Sequence, residues 1–563
     1  MNDVNVLYKL WRQKACEDVD VAAELSDMEH NAAAIEDAFY RDLAFGTGGL
    51  RGIIGAGTNR MNIYTVAKAS QGLSDYVKTV EETSKPAIAV AYDSRIKSTV
   101  FAETAAGVFA ANGIHVFIYS SLMPTPCLSF AVRRLKCAAG IVITASHNPA
   151  EYNGYKVYGP DGCQITTKTA DDILKHIEAL DIFSGVKRMD FESAHRKRLI
   201  EYIPEDVCTD FIEHVKSQSM LKNNEQIDRN VAIVYTPLNG TGLKPVTRAL
   251  REAGFTNITT VKEQEQPDGH FPTCPYPNPE IRQAMNLGIQ YARKNDADLL
   301  IATDPDCDRC GIAVKKAGGE YILLSGNEVG LLLLDYICSR RTENGTMPAH
   351  PVFIKTIVTT DLAEKIAEHY GVSTINVLTG FKFIGEQIGR LEKENREKDY
   401  ICGFEESYGY LTGTYVRDKD AVNAAFMIAE MFAYYRTKGI SLPDKLDEIY
   451  RTYGYSMNTL HSYEFDGSAG LAKMQKIMER FRCEVSSLGG MKVIRVLDYK
   501  NGLDGLPKSD VLKFHLEDGC SVVVRPSGTE PKLKAYVSVN AGNRTDAEKI
   551  EKSIVSDLAV QMK

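Results

Sequence analysis

Residues 86 to 95 read Pro-Ala-Ile-Ala-Val-Ala-Tyr-Asp-Ser-Arg, an apolar run of strand length that stops at a polar turn. A helix-length stretch follows to Asn112 and Gly113, and a second apolar run spans His115 to Tyr119. The same succession recurs twice. Val231 to Tyr235 stops at Thr236-Pro237 and Gly240-Thr241-Gly242, continues as LKPVTRALREAG and meets a strand near Ile258. Val352 to Val358 stops at Thr359-Thr360, continues as DLAEKIAEHYG and meets a strand from Thr374 to Leu378. Short apolar runs alternating with helix-length segments predict right-handed βαβ crossovers and mainly parallel sheets. Gly113, Gly254 and Gly371 fit the left-handed residue that closes a helix. The fold class expected is therefore α/β, with three tandem related domains.

Each unit holds one further apolar strand that runs into an unusual loop. Gly140 to Ile143 leads to Ser146, Ala297 to Ala302 leads to Asp304, and Tyr400 to Cys402 leads to Gly403-Phe-Glu-Glu-Ser-Tyr-Gly409. Ligands of open α/β sheets bind beyond the carboxyl ends of strands, so three such ends could share one cleft. After about residue 450 the pattern changes to Gly-spaced segments, Lys492 to Leu497, Ser521 to Arg525 and Leu533 to Val539, ending in a helix-like Thr545 to Val560. That predicts a smaller α+β domain. The boundaries expected are 1–205 (a helical extension carrying Trp11, packed on domain I), 206–325, 326–450 and 451–563.

A chain of 563 residues is too long for one core, and its 44% hydrophobic and 25% charged content is that of an ordinary globular protein. A net charge of -8 argues against a large nucleic-acid footprint. No apolar run is long enough to span a membrane, and the opening MNDVNVLYKLWRQKACEDVD lacks a secretory pattern, so a cytoplasmic protein is expected. The twelve cysteines are scattered singly apart from Cys307 and Cys310, which argues for reduced, mostly buried thiols over zinc or redox use.

Thr144-Ala-Ser-His-Asn-Pro149 follows a strand, so Ser146 is expected to be presented, not buried, as a nucleophile beside His147; a capped turn is the alternative. Asp304, Asp306 and Asp308 alternate, which in an extended segment points them to one side and favours a hard divalent ion such as Mg²⁺. A solvated acidic turn or a calcium loop is the alternative, though Pro305 and the missing Gly and Glu ligands argue against an EF-hand. Arg309 adjoins this loop and could hold a phosphoryl oxygen. Arg525-Pro-Ser-Gly-Thr-Glu-Pro-Lys532 combines a guanidinium, hydroxyls, a turning Gly and a lysine, which suits a phosphate nest or an ordinary turn. Phe45-Gly-Thr-Gly-Gly-Leu-Arg-Gly52 is a third phosphate-compatible element, but it lacks the ending of a P-loop and the strand context of a dinucleotide fingerprint.

Together TASHNP, DPDCDR, GFEESYG and RPSGTEPK, in that order across nearly the whole chain, resemble the α-D-phosphohexomutase superfamily. The branch containing phosphoglucomutase 2-like and bacterial phosphoglucomutase/phosphomannomutase proteins is nearest, sharing the N-terminal extension and FGTGGLRG. The resemblance implies a C-terminal domain of the TATA-box-binding-protein-like type. It also implies that Ser146 is the phosphorylated serine and that Asp304, Asp306 and Asp308 bind one Mg²⁺ per chain together with Ser146. Arg51, His147, Lys156 and Arg309 match groups around the reacting phosphoryl. Thr47 belongs with the substrate loop, Lys382 with the third domain's substrate loop, and Glu405 and Ser407 with the sugar readers. Arg525, Ser527, Gly528, Thr529 and Lys532 match the clamp for the non-reacting phosphate. Bacterial bifunctional members carry a His where this chain has Gly409, which leaves one proton-transfer partner open.

The implied activity is interconversion of glucose 1-phosphate and glucose 6-phosphate through a phosphoserine and glucose 1,6-bisphosphate, with sugar phosphates as the partners and neither nucleic acid nor membrane involved. A phosphomannomutase, a phosphopentomutase or a glucose-1,6-bisphosphate synthase would keep the same motifs.

Overall fold

The computed structural model describes residues 4–46, 48–80, 85–222, 225–316, 318–465, 467–527 and 532–563. In each of the first three sheets a parallel trio is followed by an antiparallel return strand, and the order across the sheet is the same. His115–Ile118, Ala87–Tyr92, Ala139–Ile143 and Tyr152–Tyr158 lie side by side in the first. Ile258–Thr260, Ile233–Thr236, Leu299–Thr303 and Cys310–Lys315 do so in the second. Ser373–Val377, Val352–Thr356, Tyr400–Glu405 and Gly409–Thr412 do so in the third. The repeat read in the sequence is thus a repeat of strand order, and in each copy the third strand turns into the return strand through the unusual loop.

Ala139–Ile143, Leu299–Thr303 and Tyr400–Glu405 are buried along their full length, which is why they read as apolar runs that turn polar only at Thr303 and Glu405, and not as alternating ones. Gly113, Gly254 and Gly371 close their helices at φ +76°, +91° and +69°. The first sheet is extended by Gly49–Ile53, antiparallel to Tyr152–Tyr158, and this strand carries Arg51 opposite Gly154.

The N-terminal helices Val4–Lys14, Val19–Asp27 and Ala32–Phe39 pack on this first unit. Trp11 is fully buried, with edge-to-face contacts to Phe39, Tyr64 and Phe183.

The fourth sheet is wholly antiparallel, six strands running from Tyr455–Glu464 at one edge to Ser487–Leu488 at the other, with Gly467–Glu484 and Arg544–Gln561 as its helices. Among the described residues no helix is long and apolar enough to cross a membrane. The twelve cysteines are all free thiols, and only Cys16 and Cys483 are exposed.

Candidate active site

The three equivalent loops meet. Each contains a residue other than glycine in the left-handed region, Ser146 at φ +53°, Cys307 at +51° and Tyr408 at +64°. Such conformations cost energy and persist where the surroundings fix them. The fixing contacts also join the units. Ser146 Oγ of the first unit donates to Asp304 Oδ2 of the second at 2.8 Å. Thr125 of the first donates through its backbone N–H to the Asp306 carbonyl (2.9 Å) and through its hydroxyl to Asp306 Oδ2 (3.0 Å). The Cys310 N–H of the second donates to the Tyr408 carbonyl of the third at 3.0 Å.

Ser146 is only 4% exposed, which corrects the expectation that the strand end presents it to solvent. The second unit's aspartate loop lies over the strand end, a packing that the local sequence does not encode. The Ser146 amide N–H donates to Thr144 Oγ1 at 2.8 Å, and His147 Nδ1 sits 3.1 Å from Ser146 Oγ. Burial, then the nearby Arg309 and Arg51 cations, hold the His147 imidazole well below its usual range, so it is neutral.

The three carboxylates converge, but not by alternation along an extended segment. Residues 304–309 form a turn, closed by the Cys307 N–H on the Asp304 carbonyl (2.9 Å) and by the N–H groups of Asp308 and Arg309 on Asp304 Oδ1 (3.1 and 2.9 Å). Gly240 makes the turn possible from below: a Cβ there would stand 2.4 Å from the Pro305 Cα and 2.5 Å from its carbonyl oxygen. One oxygen from each of Asp304, Asp306 and Asp308 lies within 4.8 Å of the others. Asp306 Oδ1 and Asp308 Oδ1 are buried and accept no hydrogen bond, so the donor set fits a hard cation with oxygen ligands.

Burial, then repulsion from Asp308 and Asp306, drives Asp304 well above the usual carboxylate range. Burial acts the same way on Asp306, but Lys156, whose Nζ is 2.7 Å from its Oδ2, more than offsets it and holds Asp306 low.

Around this centre stand the other residues singled out from the sequence. Lys156 also reaches Asp308 Oδ2 at 3.4 Å, and Arg51 donates to Asn148 Oδ1 at 3.2 Å. Arg309 pairs with Glu280. Glu405 is buried at the end of its strand, and burial raises its carboxyl above the usual range.

Ser407 lines a cavity of about 140 Å³ with Thr359 and Asn327 of the third unit and Asn458, Ser521 and Tyr536 of the fourth. Lys382 begins the helix Phe381–Lys393, its ammonium 5.4 Å from the Phe383 ring centroid, and burial lowers it to about 8. Arg525 donates to the Tyr536 hydroxyl at 3.0 Å, the Ser527 N–H donates to the Lys532 carbonyl at 2.7 Å, and Lys532 pairs with Glu464 at 3.0 Å. Arg525, Ser527 and Lys532 sit on the fourth unit. Thr47, Gly528 and Thr529 lie outside the described residues.

Sequence reasoning missed Thr125, Glu280 and Lys419. Lys419 Nζ is 3.0 Å from Asp308 Oδ2 and 3.5 Å from Asp418, and a Cβ at Gly409 would stand 2.6 Å from its Cδ, so the lysine occupies the space beside Gly409. For Lys419 the available signal was the charged run Arg417-Asp-Lys-Asp420, placed directly before a mostly apolar helix.

Models of the phosphoglucomutase/phosphomannomutase family match the chain at residues 42–182 (alpha/beta/alpha domain I), 209–319 (domain II), 325–453 (domain III) and 468–552 (C-terminal domain). A phosphoglucomutase of Staphylococcus aureus (strain MSSA476) is 36% identical over 97% of this chain and 98% of its own length. The crystal structure of a phosphoglucomutase/phosphomannomutase family protein from Burkholderia thailandensis shares the fold, with a TM-score of 0.68 at 17% identity, covering 92% of this chain and 97% of that one. So does the open form of parafusin, a phosphoglucomutase from Paramecium, with a TM-score of 0.66 at 18% identity, covering 93% and 95%.

Proposed function

From the premise that the chain belongs to the phosphoglucomutase/phosphomannomutase family, we propose that it is a phosphoglucomutase that interconverts glucose 1-phosphate and glucose 6-phosphate, with Ser146 as the phosphoryl carrier. The observation that carries this reading is the 2.8 Å contact of Ser146 Oγ with Asp304, in a buried triad whose Asp306 and Asp308 each keep one unbonded oxygen. Asp304, Asp306, Asp308 and Ser146 would hold Mg²⁺, which when bound supplies positive charge to the phosphoryl group.

The chain's own residues do the rest. Phosphoryl transfer depends on alignment and charge neutralisation more than on covalent invention. A sugar hydroxyl attacks the phosphorus, the bond from phosphorus to Ser146 Oγ breaks, and the hydroxyl proton passes to a neighbouring base. Neutral His147, with its proton on Nδ1, donates to Ser146 Oγ and stabilises it as a leaving group. Lys156 and Arg51 flank the loop as fixed positive charge, and Arg309 is held in place by Glu280.

The product of this half-reaction is glucose 1,6-bisphosphate, which must turn end for end so that its other phosphate meets Ser146. Glu405 and Ser407 read the sugar hydroxyls, and Lys382 of the same unit adds a substrate contact. Arg525, Ser527, Gly528, Thr529 and Lys532 clamp whichever phosphate is not reacting, with Thr47 in the loop of the first unit. Burial of Ser146 protects its phosphoester from water.

The test is kcat/KM on the 1-phosphates of glucose, mannose, ribose and deoxyribose, with Mg²⁺ and catalytic glucose 1,6-bisphosphate. A preference for glucose 1-phosphate of tenfold or more, about 1.4 kcal/mol, is expected, together with loss of turnover in Ser146→Ala. A pentose preference would overturn the substrate assignment, and an active Ser146→Ala would overturn the mechanism.

A further inference from the structure

The Ser146 loop is held at a left-handed φ by something other than its own sequence, and the structure shows what. Arg95 lies in the turn after the strand Ala87–Tyr92, its side chain 0% exposed. Its Nη1 donates to the carbonyls of Pro149 (2.8 Å) and Tyr152 (3.0 Å), and its Nη2 donates to those of Ser146 (2.6 Å) and Asn148. One planar cation thus fastens four backbone oxygens of the loop that carries the nucleophile.

Asp93 fixes the cation in turn. Its Oδ1 accepts from the Arg95 N–H (2.9 Å) and the Ser98 hydroxyl (2.7 Å), and its Oδ2 faces Arg95 Nε at 3.4 Å. The Thr144 hydroxyl, which receives the Ser146 N–H, works with Arg95 to lower the Asp93 carboxyl against the larger upward push of burial.

The second unit closes the arrangement. The Phe271 ring centroid lies 5.1 Å from the Arg95 guanidinium carbon, and Phe271 is fully buried at φ +47°. Two residues earlier the backbones come so close that a Cβ on Gly269 would stand 2.5 Å from the Ile96 nitrogen and 2.7 Å from the Ser94 carbonyl oxygen. The unit that carries the aspartate triad therefore presses directly on the arginine that shapes the serine loop.

We propose that Arg95 is the positioning residue of the phosphoryl-carrying loop, and that the Gly269 to Phe271 segment of the second unit sets its register so that Ser146 Oγ stays aimed at the triad. Arg95 touches neither sugar nor phosphate in this role; it acts through the four carbonyls. The inference rests on the reading of Ser146 as phosphoryl carrier. A lysine cannot reproduce the fork, because it offers one nitrogen where the guanidinium offers two on a rigid plane.

The experiment is steady-state kinetics of Arg95→Lys, with Gly269→Ala as a second variant that keeps the whole Arg95 side chain and disturbs the close approach of the two backbones. In folded Arg95→Lys, kcat falls about tenfold to a hundredfold, the penalty for misplacing a reacting atom by about 1 Å. KM for glucose 1-phosphate stays within about threefold, and so does the Mg²⁺ concentration that half-saturates a melting-temperature shift. Gly269→Ala loses kcat in the same sense by about threefold to tenfold. If Arg95→Lys does not fold, Gly269→Ala alone decides. A kcat within about twofold of the parent in the folded variants, or a loss shared equally between kcat and KM, overturns the proposal. A parent that phosphorylates no serine, or an active Ser146→Ala, would instead sink the phosphoryl-carrier reading, so the two failures are separable.

Discussion

Asp306 and Asp308 are where a single atom decides the chemistry. Each carboxylate spends one oxygen on neighbours inside the protein, Lys156 and Thr125 for Asp306, Lys419 and Lys156 for Asp308, and leaves Oδ1 buried and unbonded. Leaving a charged oxygen buried without a partner is costly, so a cation that bonds both should stabilise the folded state. Mg²⁺ at about a hundred times its dissociation constant is expected to add about 2.7 kcal/mol, seen as a rise in melting temperature. Asp306→Asn should abolish the rise, because an amide oxygen carries no charge and its nitrogen repels the ion. Titration of melting temperature against Mg²⁺ in parent and variant checks this without any activity assay. The aspartates themselves were legible from spacing, but the geometry that joins them was not. Cys307 turns to a positive φ because Gly240, 67 positions earlier in the chain, lets its backbone sit against Pro305. Lys419 was legible only as one charge in a run of charges, because such a residue acquires its role when a distant carboxylate, here Asp308, is folded against it.

The elements were more legible than the residues, because a strand buried on both faces is apolar along most of its length. The helix Ala421–Thr437 comes close to the same rule: every side chain from Ala421 to Tyr435 is buried, with Asn423 and Glu430 as the amide and carboxylate among them. Its N-terminus brings a charge into that interior. Asp420 accepts from the Val422 and Asn423 N–H groups (2.9 and 3.0 Å) and from the Tyr415 hydroxyl (2.8 Å), yet burial still pushes its carboxyl up to about 6. A folded value above the unfolded one means that the native state holds the proton more tightly. Stability therefore falls as pH rises from about 4 to 6, in total by about 3 kcal/mol. Asp420→Asn keeps a good capping oxygen and removes the titration. Urea denaturation from pH 4 to 7 should show the variant gaining on the parent by up to that amount, with the gain complete above pH 6. A parent and variant whose difference does not change with pH would mean that the capping bonds outweigh burial. The serine strand shows the limit of such reading: its end was found from sequence, but its burial comes from a loop of the next unit.

Across the whole molecule the fourth unit is fastened to the third by a contact that is ionic at its centre. Asp361, on the third unit, accepts from Lys513 Nζ (2.7 Å) and the Ser521 hydroxyl (3.0 Å) of the fourth, while Lys355 of its own unit pairs with it at 3.0 Å. Burial would raise Asp361, but the two lysines more than offset it and hold the carboxyl far below its usual range. The pairing thus survives any mildly acidic condition: it is present above the unfolded carboxylate range and is lost only as pH falls well below it. Beside it Ile357, Val358 and Leu378 meet Val511, Val523 and Tyr536 in a small apolar patch. A patch of that size with one central ion pair fits an interface that holds and still moves. In Lys513→Met the third unit keeps the Lys355 to Asp361 pair and stays intact, whereas the fourth loses its charged anchor, a change of about 1 to 3 kcal/mol. Because Arg525 stands on the same sheet, one strand from Tyr536, loosening the sheet moves the proposed phosphate clamp with it. KM for glucose 1-phosphate should then rise about threefold to thirtyfold, with a smaller fall in kcat, and small-angle scattering should show a larger radius of gyration. An unchanged KM with an unchanged radius would assign the docking to the apolar patch alone, and Val523→Ser would then be the variant that opens the cleft.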